Sequence, residues 1–475
     1  MSRFLAVGLC VPFIWWLWNR DVKARPSFSG TFWIPVFWML ILGSRPLSWW
    51  LGITGSGSSD LEGNWFDRLL YIGLIFVAIC ILSKRQISWG ALIRDNKAVV
   101  LFYAFLLATV FWAPYSFVAF KRWFKDVGAI FIILLVLTEA DPLEATKALF
   151  ARCAYVWFPL SEIFAKYFPG IGREYSHSGS TMYSGVTQHK NSLGAIIFVA
   201  AFFLITELFD KNRPLFGRRL KTGRFTRFLS GHHFTILITL AMGMWLLKLS
   251  SSRTSQICFV VGVIIILAYK IPVLRINPRR VIIFALVALP VLYLGNKAFG
   301  LTDWLLELIG RNPTLTGRTE IWEAVSKHPV NPIIGLGYMM YWDYYGGVEL
   351  SRQLVAFKTA HNGYLDTYLD GGILGLCCLA IFLIAIGRRA VREYLTGSQW
   401  GRLAFAFFVT MLLYNFAETT FGRRSPLWFV FLLFALQVQG ALPSWRRIES
   451  EVTTDENMTE KDLVGVGETK PLVSW

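Results

Sequence analysis

The stretch HNGYLDTYLDGGILG, residues 361–375, marks the point where a long polar segment ends and an apolar segment begins. The apolar segment runs to residue 387, which is long enough to cross ~30 Å of hydrocarbon at ~1.5 Å per residue. The pattern therefore predicts a membrane helix over 366–387. His361 is then a titratable side chain at the boundary between membrane and water.

Similar apolar segments recur along the whole chain. The 475 residues are 55% hydrophobic and 16% charged, and the mean hydropathy is +0.49, more apolar than soluble domains usually are. The segments predict an all-α polytopic membrane protein with about 12 transmembrane helices. The number ranges over about 11–13, depending on whether the short span 127–138 and the span 148–168, which contains a proline, are counted. The predicted spans are residues 4–18, 32–51, 66–82, 97–113, 127–138, 148–168, 191–209, 234–250, 255–270, 281–299, 366–387, 402–417 and 426–442.

These spans divide the chain into four segments. N-terminal transmembrane helices occupy 1–299, and one large periplasmic loop carrying short helices occupies 300–361. C-terminal transmembrane helices follow over 362–442, and a polar, acidic tail over 443–475 is expected to be disordered and cytoplasmic.

The net charge of +17 is explained by membrane topology, so no nucleic-acid partner is expected. Lys and Arg gather in alternate loops, which the positive-inside rule places in the cytoplasm. These loops include residues 20–25, 84–97, 211–227, 270–280, 388–392 and 446–447. The opposite loops bring six basic side chains to the non-cytoplasmic face: His189, Lys190, Arg253, Arg318, His361 and Arg423.

Arg253 and Arg318 are candidate anion ligands, because a guanidinium can donate two hydrogen bonds to a phosphate in a fork. Arg253 lies in the turn SSSRTS, and Arg318 lies near the start of a predicted short amphipathic helix. A helix N-terminus also favours an anion. Taken singly, each has an ordinary alternative: Arg253 can extend to lipid headgroups, and Arg318 can be an exposed loop residue.

His361 is a candidate general base, since an imidazole accepts a proton near neutral pH. The alternative is a helix-capping or interfacial histidine. Residues 185–194 form a second polar segment, in which His189 and Lys190 can bind phosphate or sugar. Equally, Asn191 can cap the following helix and Lys190 can anchor it.

Several kinds of site are not predicted. The sequence contains no Walker loop, HExxH or GxSxG motif, and no Asp-x-Asp pair on the outer face. All six cysteines lie in apolar segments, which is typical of buried thiols and not of disulfides or metal ligands. We therefore expect no metal and no cofactor.

Taken in order along the chain, several motifs resemble the O-antigen ligase and polymerase superfamily of bacterial membrane glycosyltransferases. The resemblance covers roughly residues 30–440. Two segments, TGRTEIW and SRPLS, are most similar to the exopolysaccharide polymerase branch. The motifs are SRPLS (44–48), QHKNSLG (188–194), SSRT (251–254), LTGRTEIW (315–322), PIIGLGY (332–338) and HNGY (361–364).

The resemblance implies an inverting, metal-independent transfer at the periplasmic face of the bacterial inner membrane. The donor would be a glycan on undecaprenyl diphosphate, and the acceptor a glycan or lipid A-core. Arg253 and Arg318 would hold the diphosphate while His361 acts as catalytic base, so the three should share one pocket. Membrane lipids and polysaccharide assembly proteins are candidate partners. The predicted substrate-binding residues are His189, Lys190, Asn191, Arg423 and Tyr364.

Two alternatives remain at this point. Within the family, a ligase would attach a finished glycan to lipid A-core, whereas a polymerase would extend a chain on a new repeat unit. A transporter or flippase for lipid-linked oligosaccharides belongs to another class. Transporters often place internal repeats and interrupted helices near the membrane midplane. Here the notable charges collect at one face, which favours an enzyme.

Overall fold

The computed structural model describes residues 2–25, 28–53, 63–175, 181–209, 232–268, 318–346 and 359–438. Almost all secondary structure in these residues is helical. Two short strands, β1 (Arg173–Tyr175) and β2 (Thr181–Tyr183), pair antiparallel with Arg173 opposite Tyr183. Two 3₁₀ helices lie at Gly30–Phe32 and Val110–Trp112. The α-helices are α1 (Arg3–Ala24), α2 (Trp33–Leu42), α3 (Leu47–Trp50), α4 (Trp65–Leu82), α5 (Trp89–Asp95), α6 (Lys97–Thr109), α7 (Ser116–Leu137), α8 (Pro142–Tyr167), α9 (Pro169–Gly172), α10 (Lys190–Leu208), α11 (His232–Ser250), α12 (Arg253–Ala268), α13 (Arg318–Lys327), α14 (Tyr341–Gly346), α15 (Gly363–Leu395), α16 (Gln399–Asn415) and α17 (Pro426–Ala435).

The helices agree with the predicted all-α class. Each predicted span within the described residues overlaps a helix, but span 32–51 divides into α2 and α3, and span 426–442 is helical only to Ala435. Five helices, α4, α8, α10, α11 and α15, are long and apolar enough to cross a membrane. The protein is thus a multi-pass membrane protein, and the total number of spans stays a prediction. The span predicted at 281–299 and the tail 443–475 lie outside the described residues, as do residues 300–317 and 347–358 of the predicted loop 300–361.

Helix α7 corrects one interpretation of the sequence. The predicted span 127–138 forms only the C-terminal part of α7, which begins at Ser116. By its sequence, the segment before that span, with Lys121, Arg122 and Lys125 beside two aromatic residues, predicts an interfacial segment that contacts lipid headgroups. Instead, Arg122 pairs with Asp343 at 2.5 Å, and Lys125 lines an internal cavity. The segment around Asp343 folds over α7 and supplies the carboxylate that pairs with Arg122.

Helix α10 is the central helix of the bundle. It is apolar on all sides and buried along almost its whole length, as expected for a helix surrounded by others. It packs against α8, α11 and α12, and Phe203 stacks on Phe150 with ring centroids 4.5 Å apart. Its two ends carry Asn191 and Glu207, which therefore lie ~24 Å apart along the axis at ~1.5 Å per residue.

The Glu207 end of α10 belongs to a buried ion cluster. Arg25 contacts Glu207 at 2.5 Å and Asp21 at 2.6 Å, and Arg152 contacts Asp21 at 2.9 Å. Arg25 was expected in a cytoplasmic loop; it is buried because α1 continues to Ala24 and carries it between α8 and α10. The complete cluster comprises Asp21, Arg25, Glu144, Lys147, Arg152, Glu207 and His232.

Helix α15 is interrupted at Gly372, where φ is 60°. The interruption frees backbone groups, which a membrane protein must satisfy internally. Residues 332–337 do so: their amides donate to the carbonyls of 369–370 at 2.9 Å each, and their carbonyls accept from the amides of 373–374 at 2.8 and 3.1 Å. Only glycine fits at position 372, since a Cβ there would collide with the backbone of this segment. The interruption therefore fixes the polar segment against the N-terminal part of α15, next to His361.

Candidate active site

His361 lies in a sharp turn immediately before α15. Its backbone has φ 48°, an uncommon left-handed conformation for a residue with a side chain. Asn362 then caps the helix, since its side chain accepts from the amides of Tyr364 and Leu365 at 3.0 and 3.1 Å. The Asn362 cap and the turn together fix the backbone that carries the imidazole at the start of α15. The capping function considered for His361 belongs to its neighbour.

Glu418 holds the imidazole. Its carboxylate lies 3.0 Å from His361 Nδ1 and accepts from Asn191 Nδ2 at 2.6 Å. The Glu418 side chain is 9% exposed and that of His361 is 27% exposed. Because an ionised carboxylate only accepts, Nδ1 of a neutral His361 carries the proton and Nε2 carries the lone pair. A base oriented by a carboxylate in this way is a common arrangement in catalysis.

Asn415 builds the turn that carries Glu418. Its Oδ1 accepts from the amides of Thr420 and Phe421 at 2.9 and 3.2 Å. The amide of Gly363 donates to the Glu418 carbonyl at 3.0 Å, and a Cβ at Gly363 would collide with Asn415 Oδ1. The glycine after Asn362 is therefore needed for the close approach that brings Glu418 to His361.

Asp366 ties the polar segment to the same place. Its carboxylate, which is buried, accepts from the Ala360 amide at 3.0 Å and from Trp342 Nε1 at 2.8 Å. Trp322 Nε1 donates to the Ala360 carbonyl at 3.0 Å. Helix α13 is therefore attached one residue before His361. Arg318 is the first residue of α13, one turn before Trp322.

A cavity of about 510 Å³ opens beside His361. This is a size typical of ligand-binding sites. The walls come from α2, α4, α7, α10, α16 and the turn between α16 and α17. Its charged and histidine lining residues are Asp67, Arg68, Lys125, His189, His361, Glu418 and Arg424.

The residues predicted to bind substrate are distributed unevenly around this cavity. His189 and Asn191 line it; His189 is largely exposed and its Nδ1 lies 3.1 Å from Glu174. Lys190 is the first residue of α10. Tyr364 points elsewhere, since its hydroxyl donates to the Leu412 carbonyl at 3.2 Å.

Arg423 does not line the cavity. Its guanidinium is 2.8 Å from Asp370 in an ion pair that is mostly buried. Burial lowers the pKa of Arg423, but the carboxylates of Asp370 and Asp366 raise it by more, so the net shift is upward. The next residue, Arg424, lines the cavity instead, and its guanidinium lies 4.3 Å from the ring of Tyr71.

Arg253 does not line the described cavity either. It is the first residue of α12, is exposed, and donates to Gln256 Oε1 at 3.2 Å. Its turn is nevertheless close to the site, since Ser252 and Ser255 pack against Gly194, one turn after Asn191. Of the three residues expected to share one pocket, only His361 lines the cavity, Arg253 does not, and Arg318 is placed by its backbone alone. Their roles stay predictions.

Sequence reasoning missed Glu418, Arg68, Lys125 and Arg424. Glu418 and Arg424 belong to the outer turn that the topology had identified, so a search of that turn for a carboxylate would have found Glu418. Lys125 also lies on the outer side by topology, but the sequence of its segment predicts contact with lipid headgroups. Among the described residues, no group of His, Cys, Asp and Glu is arranged to hold a metal.

The fold and the site thus define a multi-pass membrane protein with an imidazole–carboxylate pair inside a cavity at one end of its helices. Residues 237–380 match the family model of O-antigen ligase. The match confirms the resemblance seen in the motifs.

A curated relative is similar over a longer range. The exopolysaccharide production protein ExoQ of Rhizobium meliloti (strain 1021) is 22% identical over 302 residues, which is 60% of this chain and 63% of ExoQ. The chain therefore spans less than two thirds of that relative. The family match itself contains Arg253, Arg318 and His361. Glu418, Asn191 and the cavity cations lie outside it, so the site is completed by surrounding helices.

Proposed function

We propose that the protein is an inverting membrane glycosyltransferase that extends a polysaccharide from undecaprenyl-diphosphate-linked units at the periplasmic face. The observation that carries this proposal is the His361–Glu418 pair inside a cavity of about 510 Å³, on a chain that matches the O-antigen ligase family model over residues 237–380. The similarity to ExoQ, an exopolysaccharide production protein, favours a polymerase.

The chemistry follows from the arrangement of the pair. The acceptor hydroxyl attacks the anomeric carbon of the donor glycan and gives its proton to His361 Nε2. The bond from the anomeric carbon to the diphosphate oxygen breaks, and the lipid diphosphate leaves. Glu418 stabilises the imidazolium that forms. A single displacement inverts the anomeric centre.

The predicted roles of Arg253 and Arg318 remain part of the proposal. Both would stabilise negative charge on the departing diphosphate, which is often the largest electrostatic contribution to such a reaction. The attachment of α13 next to His361 supports a place for Arg318 near the reaction. Arg253 would need its exposed side chain to reach the same ligand.

An assay with purified protein tests the proposal. The protein is incubated with a synthetic lipid-diphosphate-linked repeat unit and a chelator, without nucleotide sugar, and the products are separated by length. We expect lengthened glycan with inverted linkage. Only unchanged substrate under all conditions would contradict the proposal.

The family description favours one other function, an O-antigen ligase. A strain lacking the protein distinguishes the two. A polymerase leaves a single repeat unit and no long chains, whereas a ligase leaves long polymer that is not attached to lipid A-core.

A further inference from the structure

Three cationic side chains from separate elements line the cavity that contains His361. Arg68 lies near the start of α4, Lys125 lies in α7, and Arg424 lies in the turn before α17. None of the three belongs to the motifs that suggested the function. Their convergence arises only when these elements pack together.

The carboxylates in the same walls are already engaged. Asp67 accepts from the amide and hydroxyl of Ser48 at 3.1 and 2.5 Å, and Glu418 is held by Asn191 and His361. Within the described part of the chain, Lys125 and Arg424 have no hydrogen-bond or ion-pair partner. Asp126, whose charge acts on both cations, is buried and accepts from the Tyr338 hydroxyl. The donors of Lys125 and Arg424 are therefore available to a ligand in the cavity.

Lys125 shows how closely these charges approach each other. Burial lowers its pKa most, followed by the positive charge of Arg424. Asp126 opposes the shift, Arg122 and Arg68 add to it, and the pKa of Lys125 falls to about 8. A half-buried ammonium among guanidinium groups is favoured by an anion placed between them.

We infer that Arg68, Lys125 and Arg424 form an oxyanion-binding subsite that holds a phosphate or carboxylate group of the substrate beside His361. This inference rests on the proposed function and adds a set of ligands different from Arg253 and Arg318. The oxyanion has two chemical sources in such a substrate: the diphosphate of the lipid-linked donor, or an acidic sugar of the glycan. The planar carboxylate and the tetrahedral phosphate both carry anionic oxygens that guanidinium and ammonium groups bind.

The test measures binding to the full-length protein in lipid nanodiscs. One probe is geranylgeranyl diphosphate, compared with geranylgeraniol; the other is trigalacturonate, compared with its methyl ester. The variants are Lys125→Gln, Arg424→Gln, the double variant, and Arg424→Lys, which keeps the charge. We expect each Gln substitution to weaken binding of the charged probe about tenfold, or about 1.4 kcal/mol. Binding of the two neutral probes should not change. Arg424→Lys should lose less affinity for the charged probe than Arg424→Gln.

Lys97→Gln is the matched control, because Lys97 lines a separate basic cavity with Arg94, Arg389 and Arg392. It should leave both charged probes unchanged. A loss confined to the diphosphate assigns the subsite to the lipid-linked donor, and a loss confined to trigalacturonate assigns it to the glycan. If neither charged probe binds, or if all variants bind like wild type, the inference is overturned.

The outcome is separable from that of the proposed function. If the protein lengthens glycans but the variants bind the probes like wild type, the subsite is refuted and the glycosyltransferase function is supported. If probe binding depends on Lys125 and Arg424 but no glycan is lengthened, the subsite is supported and the glycosyltransferase function is refuted.

Discussion

Two groups of charged side chains lie at opposite ends of α10, and they differ in balance. In the buried ion cluster around Arg25, three cations and three carboxylates pair with one another, and His232 contacts Glu207. In the cavity around His361, the carboxylates are engaged by neighbours while Lys125 and Arg424 face open space. Ion pairs that neutralise each other stabilise the fold, whereas cations that line a cavity without an ion-pair partner are available to bind a ligand.

The difference is also one of accessibility. The side chains of Arg25 and Asp21 are 0% exposed, so a ligand cannot reach them without opening the bundle. His361 keeps 27% exposure while its partner Glu418 is nearly covered. A catalytic imidazole needs this combination, because one nitrogen must be held while the other meets the substrate.

The largest expected effect separates chemistry from stability. His361→Ala should lower glycan lengthening about 10²–10⁴-fold, because a general base contributes that much. Its thermal unfolding should match that of wild type, since His361 is partly exposed and Asn362 caps α15. Product analysis and a melting curve of the same preparation check both. Turnover close to wild type would refute the role of His361 as base.

The converse result is expected for the buried ion cluster. Arg25→Met removes the cation shared by Asp21 and Glu207 and leaves the buried cluster with three carboxylates against two cations, and a buried charge without its partner costs about 3–5 kcal/mol. The free energy of unfolding in detergent should fall by this amount. The dissociation constant of the charged probe, measured on the folded fraction, should not change. An altered dissociation constant with unchanged stability would reverse the distinction between the two regions.

Glu418→Gln tests whether the carboxylate orients the base. Turnover should fall roughly 10–10²-fold, less than on loss of the imidazole, because the favoured tautomer is no longer enforced. The pH profile of kcat should also shift, which a purely structural role would not cause. Glu323→Gln, which breaks an exposed pair with Lys327, is the control and should change neither quantity.

The smallest expected effect is a dependence of binding on pH. The pKa of Lys125 is lowered to about 8, so the unliganded site loses a positive charge above that pH. The dissociation constant of the charged probe should therefore rise with pH, roughly threefold between pH 8 and 9 if loss of the charge weakens binding about tenfold. Lys125→Gln should remove this dependence. A flat profile in wild type would exclude Lys125 from the subsite.

Much of the helical framework could be predicted from composition, because hydrocarbon imposes long apolar segments. Local sequence did not reveal that α7 begins at Ser116 or that α1 continues to Ala24, since both extensions carry charged residues. Those charges are tolerated because partners from distant segments, such as Asp343 for Arg122 and Glu207 for Arg25, neutralise them.

The site was predictable only in part. His361 could be identified from its position before an apolar segment and its place in a motif. Glu418, 57 residues later, belongs to no motif, and only its place in the outer turn marks it. Arg423 and Arg424 are neighbours in sequence, yet one is buried against Asp370 and the other lines the cavity. The choice depends on how the turn between α16 and α17 is folded by Asn415.

Composition and pattern were enough to establish a helical membrane protein with basic side chains gathered near one set of helix ends, because the membrane constrains each segment separately. Which of those side chains share a cavity depended on contacts between segments far apart in the chain. The pairing of Glu418 with His361 and the convergence of Lys125 with Arg424 both arise from helix packing. No local rule encodes such distances, because they result from the sum of many contacts across the bundle.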